Sequence, residues 1–489
     1  MTDPGVLAAH PTRSGLMLAG AITLMLAAAW SVQHAIHAAA YGDKNGGRLA
    51  AVWVVTFLLL LTQTVMYHCE RPRRLTPRIK RQLDALHVAV LMPTFNEDEG
   101  YLRLGLESLL RQTRLPDSVH VVDDGSTSTE YDTVRTWWMD AARGAGITAT
   151  WLRVPNGGKR HAQAHGVRQS PQADIYITVD SDSCLAPNAI DEVLIPFARP
   201  SVQSVAGMVL ATNHRASLLG RITDLWFVTG QLVDRSALSA MGSVLVNSGA
   251  LAAYRAAVIR DNLTSYLNEM FLGRRVMFSD DSMLTLYALL RGRTVQQSTA
   301  VVFTAIPEKA GHLLRMYLRW MRGSTIRSIW RVRYLPVTRW AYWAHLLRWF
   351  QLALGTSVVG WLLIVEPFFY GHVPPSSFAV VPFLIGWAQG LRYLAIARSD
   401  ESFASRLYTW ALMPLAVIWS WLVLRPVRWY GMVTCAKTGW GTRQNGAEVS
   451  LSVEPTRISA SQIEEPTVTL VKLLDPLMDT NVETAYPAR

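Results

Sequence analysis

Two carboxylates separated by one residue, Asp180-Ser181-Asp182, close an alternating run in which Ile175, Ile177 and Val179 share one face. Period-two alternation of β-branched residues reads as a strand, so both acids emerge together at its carboxyl end. A pair so placed can hold a divalent cation against a diphosphate, because hard cations take oxygen ligands and balance phosphate charge. Acidic turn residues also follow strands for no catalytic reason, so the pair needs partners. The chain offers several: Pro93-Thr94-Phe95-Asn96-Glu97, Asp123-Asp124-Gly125-Ser126, and a loop with two cations, Asn156-Gly157-Gly158-Lys159-Arg160. Further on come Asn247-Ser248-Gly249 and the acidic pair Asp280-Asp281. That pair precedes an apolar helical stretch, residues 283–290, where helix capping and the helix dipole explain acids as readily as catalysis does.

The elements that must carry these groups are short strands at 87–92 and 119–122, with a helix between them marked by Leu102, Leu106, Leu109 and Leu110. Alternating strands and helices over residues 85–310 predict one α/β domain, a mainly parallel sheet covered on both faces. Ligands in such sheets sit at the carboxyl ends of strands. Three polar strand ends opening on one side fit that rule.

The flanks read differently. Half of the 489 residues are hydrophobic, 18 of them tryptophan, and the net charge is +11. Apolar runs at 16–40 and 50–67 form a hairpin within residues 1–84, followed at once by Arg71, Arg73, Arg74, Arg78, Lys80 and Arg81. Basic residues beside apolar runs point to a cytosolic membrane surface rather than to nucleic acid, and place the amino terminus inside. Residues 311–342 are amphipathic, with Arg315, Arg319 and Arg322 on one face beside Leu314, Tyr317, Leu318 and Met321, as in a helix lying in the interface. Apolar runs follow at 343–368, 376–397 and 407–424 within residues 343–444, the third interrupted by Pro414 and Pro426. The arginines after it favour the cytosol, so the pattern predicts four full spans plus one re-entrant segment. The tail, 445–489, carries three basic and seven acidic residues and reads as disordered. Cys69, Cys184 and Cys435 are too scattered for a disulfide framework or a thiolate zinc site.

The order of these motifs resembles the processive family 2 glycosyltransferases, whose members include hyaluronan, chitin and cellulose synthases. Pro93 to Glu97, Asp123-Asp124-Gly125, Gly158-Lys159-Arg160, Asp180-Ser181-Asp182, Ser248-Gly249, Asp280-Asp281 and Arg319-Trp320 appear in the family's order. Within the family the hyaluronan synthase branch is the more similar, through residues 247–255 and the stretch Lys437 to Arg443. The resemblance implies a cytosolic GT-A domain, Rossmann-like, inserted between transmembrane helices of a multi-pass plasma-membrane protein. It implies an inverting transfer from UDP-sugars to a growing polysaccharide. Asp124 and Lys159 would hold the uridine, with Thr94, Glu97, Asp123, Asp180 and Ser248 around the donor. Asp182, assisted by Asp180, would coordinate Mg²⁺ or Mn²⁺. Asp281, beside Asp280, would be the general base, Arg319 would meet the diphosphate, and Trp320 would stack on the acceptor.

Some positions depart from the family. Met316 stands where a glutamine is expected, Ser282 where hyaluronan synthases have arginine, and Ala250 and Ala252 replace a proline and a glycine. Three other readings stay open: a chitin-oligosaccharide synthase, a transferase to a polyprenyl phosphate, and a silent nucleotide-sugar-binding scaffold. Supplying UDP-GlcNAc with and without UDP-GlcUA separates the first. A lipid-extractable single-sugar product marks the second, and loss of turnover in Asp281→Asn excludes the third.

Overall fold

Val88, Ala89, Val90, Leu91 and Met92 alternate between two faces, yet all are buried. A strand apolar on both sides must be covered on both sides. In the computed structural model, which describes residues 7–12, 15–38, 43–127, 130–371 and 376–439, this strand (β1, Val88–Thr94) lies inside an eight-stranded sheet. The other strands are β2 (Ser118–Asp123), β3 (Thr148–Arg153), β4 (Ile175–Thr178), β5 (Ser183–Leu185), β6 (Val202–Ala211), β7 (Ala252–Arg255) and β8 (Arg293–Thr304). Their order is β3-β2-β1-β4-β7-β6-β8-β5.

The sheet is mainly parallel, as the sequence pattern predicts, and is mixed only through two reversed strands. β3, β2, β1 and β4 run parallel, as do β6 and β8. β7 opposes both of its neighbours, and β5 opposes β8. The reversal follows from the chain after β6. After the helix Leu218–Gly230 the chain reaches the other end of the sheet, where Ser243 bridges Thr294 at the start of β8. Residues 244–249 return it to the strands' carboxyl ends, where Gly249 lies beside Asp180, so it re-enters the sheet from there. A four-residue strand carries no sequence mark of its direction. β1 lies between β2 and β4, so the connections leave it on opposite sides and open a crevice at the strands' carboxyl ends.

Local signals place the helices. Asp98 caps Glu99–Leu110, its side chain accepting from the N–H groups of Gly100 (2.9 Å) and Tyr101 (3.2 Å). That helix buries Leu102, Leu106 and Leu109 against β1 and β2 in one core, while Ala89, Leu91, Tyr176 and Tyr254 form a second core on the other face.

Gly15–His34 and Trp340–Tyr370 are each long and apolar enough to cross a membrane. The apolar part of the helix Asp43–Cys69, Val54–Cys69, is shorter, and Ser376–Leu394 packs along Gly15–Ala38 through Ala28, Val32 and Val381. Phe403–Ala411 and Met413–Val433 meet at a bend of 44°. Both ends of this bent pair are held by the α/β domain: Glu401 lies 3.5 Å from His214 Nε2, and the Met277 N–H donates to the Thr438 carbonyl at 3.2 Å. The tail at 445–489 and the Trp440 to Arg443 stretch lie outside the described residues.

Candidate active site

The turn after β1 and the turn after β2 are built as one unit. Asn96, at φ 47°, donates its N–H to Ser126 Oγ (2.9 Å) and accepts the Thr127 N–H on its side chain (2.8 Å). Asp124 lines the crevice, and its two oxygens accept the N–H groups of Gly157 (2.9 Å) and Gly158 (2.8 Å). Gly158 can present its N–H this way at φ +90°, a region that glycine enters without steric cost. Burial pushes the Asp124 carboxyl up, and these backbone donors oppose it. Asp124 therefore organises the 156–158 loop as well as facing the space beside it. Asp123 and Glu97 are 1% and 3% exposed and do not line the cavity. Asp123 accepts from the Ser126 N–H (2.9 Å), and Glu97 accepts from Ser181 Oγ (2.7 Å), so both brace the site from behind.

At the next layer Lys159 Nζ lies 2.6 Å from Asp180 Oδ1 and 3.3 Å from Asp280 Oδ2. Burial lowers the pKa of this ammonium, but Asp180 and Asp280 outweigh burial and hold it above its ordinary value. The two acids of the pair are driven apart. For Asp280 burial is outweighed by Lys159 and Arg160, which keep the carboxyl below the usual range. Asp281 is pushed up to about 6 by burial and by Asp280, with Lys159 and the Ser282 N–H (2.6 Å) pulling the other way. A carboxylate at that value is suited to accepting a proton near neutrality. Both acids occupy the first turn of Asp280–Arg291; Ser279, in the cap position, is left-handed at φ 56° and makes no side-chain cap. The first-turn placement of both acids is nonetheless what the helix dipole favours.

Asp182 Oδ1 accepts from Thr304 Oγ1 (3.3 Å), at the end of β8, and from Ser183 Oγ (3.4 Å). The helix Ala310–Tyr334 closes the site from the other side. It buries Met316, Tyr317, Met321 and Ile326, and also Arg327, whose guanidinium meets Glu269 at 2.6 and 3.0 Å. The helix is therefore wedged between the domain and Met413–Val433 rather than lying alone on a surface. Gly323 allows the wedge: a Cβ there would stand 1.7 Å from Ser279 Oγ. Arg319 and Trp320 reach the cavity, Trp320 tilted against Phe227 with ring centroids 5.5 Å apart.

One cavity of about 1670 Å³ joins these groups. Thr94, Asp124, Lys159, Asp180, Asp182, Ser248, Asp280, Asp281, Arg319 and Trp320 all line it. It continues past Trp320 between apolar helices, along Leu59, Gln63, Leu352, Gly355, Gly386 and Trp421. The family model described as "Glycosyltransferase like family 2" matches residues 85–323. The chain is 33% identical over 363 residues to a hyaluronan synthase of Streptococcus pyogenes, covering 73% of this chain and 83% of that one. The chain belongs to glycosyltransferase family 2. It is 27% identical over 366 residues to an N-acetylglucosaminyltransferase of Sinorhizobium fredii, covering 74% of this chain and 84% of the other. Its fold is similar to a Pyrobaculum calidifontis mannosyltransferase solved with GDP-mannose and Mn²⁺, at 18% identity and a TM-score of 0.50, covering 86% and 99% of the two chains.

This family 2 enzyme is a hexosyltransferase with a mixed-sheet, GT-A-like domain. Among the described residues no group of three or more His, Cys, Asp or Glu side chains is arranged to hold an ion. Asp180 and Asp182 nevertheless both face the cavity, and two hard oxygen donors there would suit a divalent cation. Three contributors went unread in the sequence. Thr304 bears the same strand-end signal as the acidic motif, a polar residue closing an apolar run. Gly323 interrupts a helical pattern, which marks a close approach without naming the partner. Gln163, donating to Asp280 Oδ2 at 3.3 Å, carries no signal at all.

Proposed function

We propose that this family 2 glycosyltransferase is a membrane-embedded, processive synthase that polymerises UDP-GlcNAc and UDP-GlcUA into a hyaluronan-like, β-linked polysaccharide. The observation that carries the reading is the continuity of the cavity: Asp182 and Asp281 share it with Trp320, and it runs on between apolar helices. Polymerisation and export can then use one path.

Asp124 and the 156–158 loop receive the nucleotide, and Ser248 faces the donor. Asp182 and Asp180 would hold Mg²⁺ or Mn²⁺, which supplies charge neutralisation on the diphosphate. Lys159 and Arg319 add fixed positive charge where the leaving group becomes more negative. Asp281 accepts the proton of the acceptor hydroxyl as that oxygen attacks the anomeric carbon from the face opposite UDP, which inverts the centre. Asp280, held ionised by Lys159, keeps its neighbour's pKa raised. Trp320 offers an indole face to the acceptor ring.

For the membrane arrangement, the turn 395–402 and the segment after Val433 both touch the α/β domain, which favours a re-entrant bent pair over a third carboxyl-terminal crossing. The pairing of the strand Ala9–Pro11 with Ile396–Arg398 supports an amino-terminal segment on the same side as the α/β domain, which this reading takes as cytosolic.

The purified enzyme in lipid nanodiscs, given both UDP-sugars and Mn²⁺, should make a polymer cleaved by hyaluronan-specific lyase. With UDP-GlcNAc alone it should make none. A polymer or oligosaccharide from UDP-GlcNAc alone would point instead to the chitin-type reading, to which Met316 in place of glutamine lends some weight.

A further inference from the structure

The turn between the helices Ser376–Leu394 and Phe403–Ala411 is not a free loop. Its Arg398 side chain is 1% exposed and spends its whole guanidinium on fixed partners. Nη1 donates to Asp224 Oδ2 at 2.9 Å, Nη2 to the Ala211 carbonyl at 2.7 Å, and Nε and Nη2 to the Asp400 carboxylate at 2.9 and 2.7 Å. Asp224, itself 2% exposed, accepts the Ala211 N–H at 2.8 Å and the Tyr393 hydroxyl at 3.1 Å. The same single O–H of Tyr393 is shared with Glu401 Oε2, 3.0 Å away. A buried pair of this kind adds little net stability over an apolar isostere, and one use of such pairs is to fix a register.

What is registered here is a wall of the cavity. Ala211 ends β6 and pairs with Thr304, the residue that donates to Asp182. Asp224 belongs to Leu218–Gly230, whose Phe227 leans on Trp320. On the other side, Gly386 and Gln389 of Ser376–Leu394 line the apolar continuation of the same cavity. The arginine therefore joins the acceptor end of the site to the helix along which a product would move.

We infer that Arg398 is a positioning residue for chain extension, pinning the turn of the carboxyl-terminal apolar helices to the ends of β6 and Leu218–Gly230 so that the product path stays aligned with Trp320. The inference rests on the polymerase reading. Lysine keeps the charge but cannot form the fork to Asp224, Asp400 and Ala211 together.

The test uses the full chain in nanodiscs. Arg398→Lys should shorten the product at least about threefold, while initial UDP release and donor KM stay within about twofold of the parent. The apolar double variant Arg398→Met with Asp224→Leu, which leaves no buried charge between those two positions, should do the same. Unchanged product length overturns the inference. So does a parallel fall of length, turnover and donor affinity, which is what a merely structural role predicts. A second measurement does not depend on polymer. Spin labels at Leu218→Cys and Phe403→Cys, with the three native cysteines replaced by serine, should give a narrow distance distribution that broadens in Arg398→Lys. If the parent makes only single-sugar products, the polymerase reading fails, and an unbroadened distribution then overturns the positioning role by itself.

Discussion

Replacing Asp281 by asparagine should abolish turnover and stabilise the protein at the same time. The carboxyl sits at about 6 against an ordinary 3.8, because burial and the neighbouring Asp280 disfavour its ionised form. Ionisation follows directly: a base at 6 is about nine-tenths ionised at pH 7 and about one-tenth at pH 5, so the parent rate should fall roughly tenfold between them. A base at 3.8 would lose less than about a tenth of its rate over that range. For stability, the raised pKa favours the fold below the ordinary carboxylate value, and that advantage is lost as the pH rises through about 6. At about 1.4 kcal/mol per pKa unit, the ionised group costs the fold about 3 kcal/mol at pH 8. Asparagine has the shape without the charge, so Asp281→Asn should gain up to that amount at pH 8 and close to nothing at pH 4. Turnover, read as UDP release, should drop by about 10² to 10⁴, the usual share of a general base. Thermal unfolding followed by tryptophan fluorescence reads the other half. A flat pH–rate profile from 5 to 7, or surviving turnover in the variant, refutes the assignment; an unchanged stability difference at both pH values refutes the electrostatic argument alone.

Other perturbations have equally definite outcomes. Gly323→Ala drives a methyl into Ser279 and should cost about 1–3 kcal/mol or more from overpacking, with loss of turnover, read by thermal unfolding and UDP release. Trp320→Ala, at a half-exposed ring on the cavity wall, should raise the acceptor requirement and shorten the product while UDP affinity measured by calorimetry stays within about twofold; Trp320→Phe should recover most of the loss. Chelation by EDTA should stop UDP release, with Mn²⁺ or Mg²⁺ restoring it, and Asp182→Asn should raise the metal concentration needed by at least about tenfold. Replacing Lys159 by methionine removes the cation facing Asp180 and Asp280, so the acidic limb of the pH–rate profile should move upward.

Local chemistry along the chain was enough to mark most of the site. A polar residue ending an apolar strand must emerge where the sheet stops, because the pleat allows it nowhere else, so Thr94, Asp124 and Asp180 could be assigned to one edge before any fold was known. The helix Glu99–Leu110 was legible from the spacing of Leu102, Leu106, Leu109 and Leu110, whereas its cap, Asp98, emerged only in the structure. Apolar run lengths likewise marked Gly15–His34 and Trp340–Tyr370. What the chain alone left open depends on groups distant in sequence. The direction of β7 was decided by residues 244–249 bringing the chain back to the strands' carboxyl ends before it, and that is what sets Ser248 on the cavity wall. The roles of Asp280 and Asp281 split only because Lys159 and Arg160, from a helix over a hundred residues earlier, face one acid more closely than the other. Glu97 and Asp123 were drawn behind the wall by Ser181 and Ser126. The pinning of Arg398 by Asp224 joins residues 174 positions apart, and a pairing at that separation exists only after the sheet has brought its ends together.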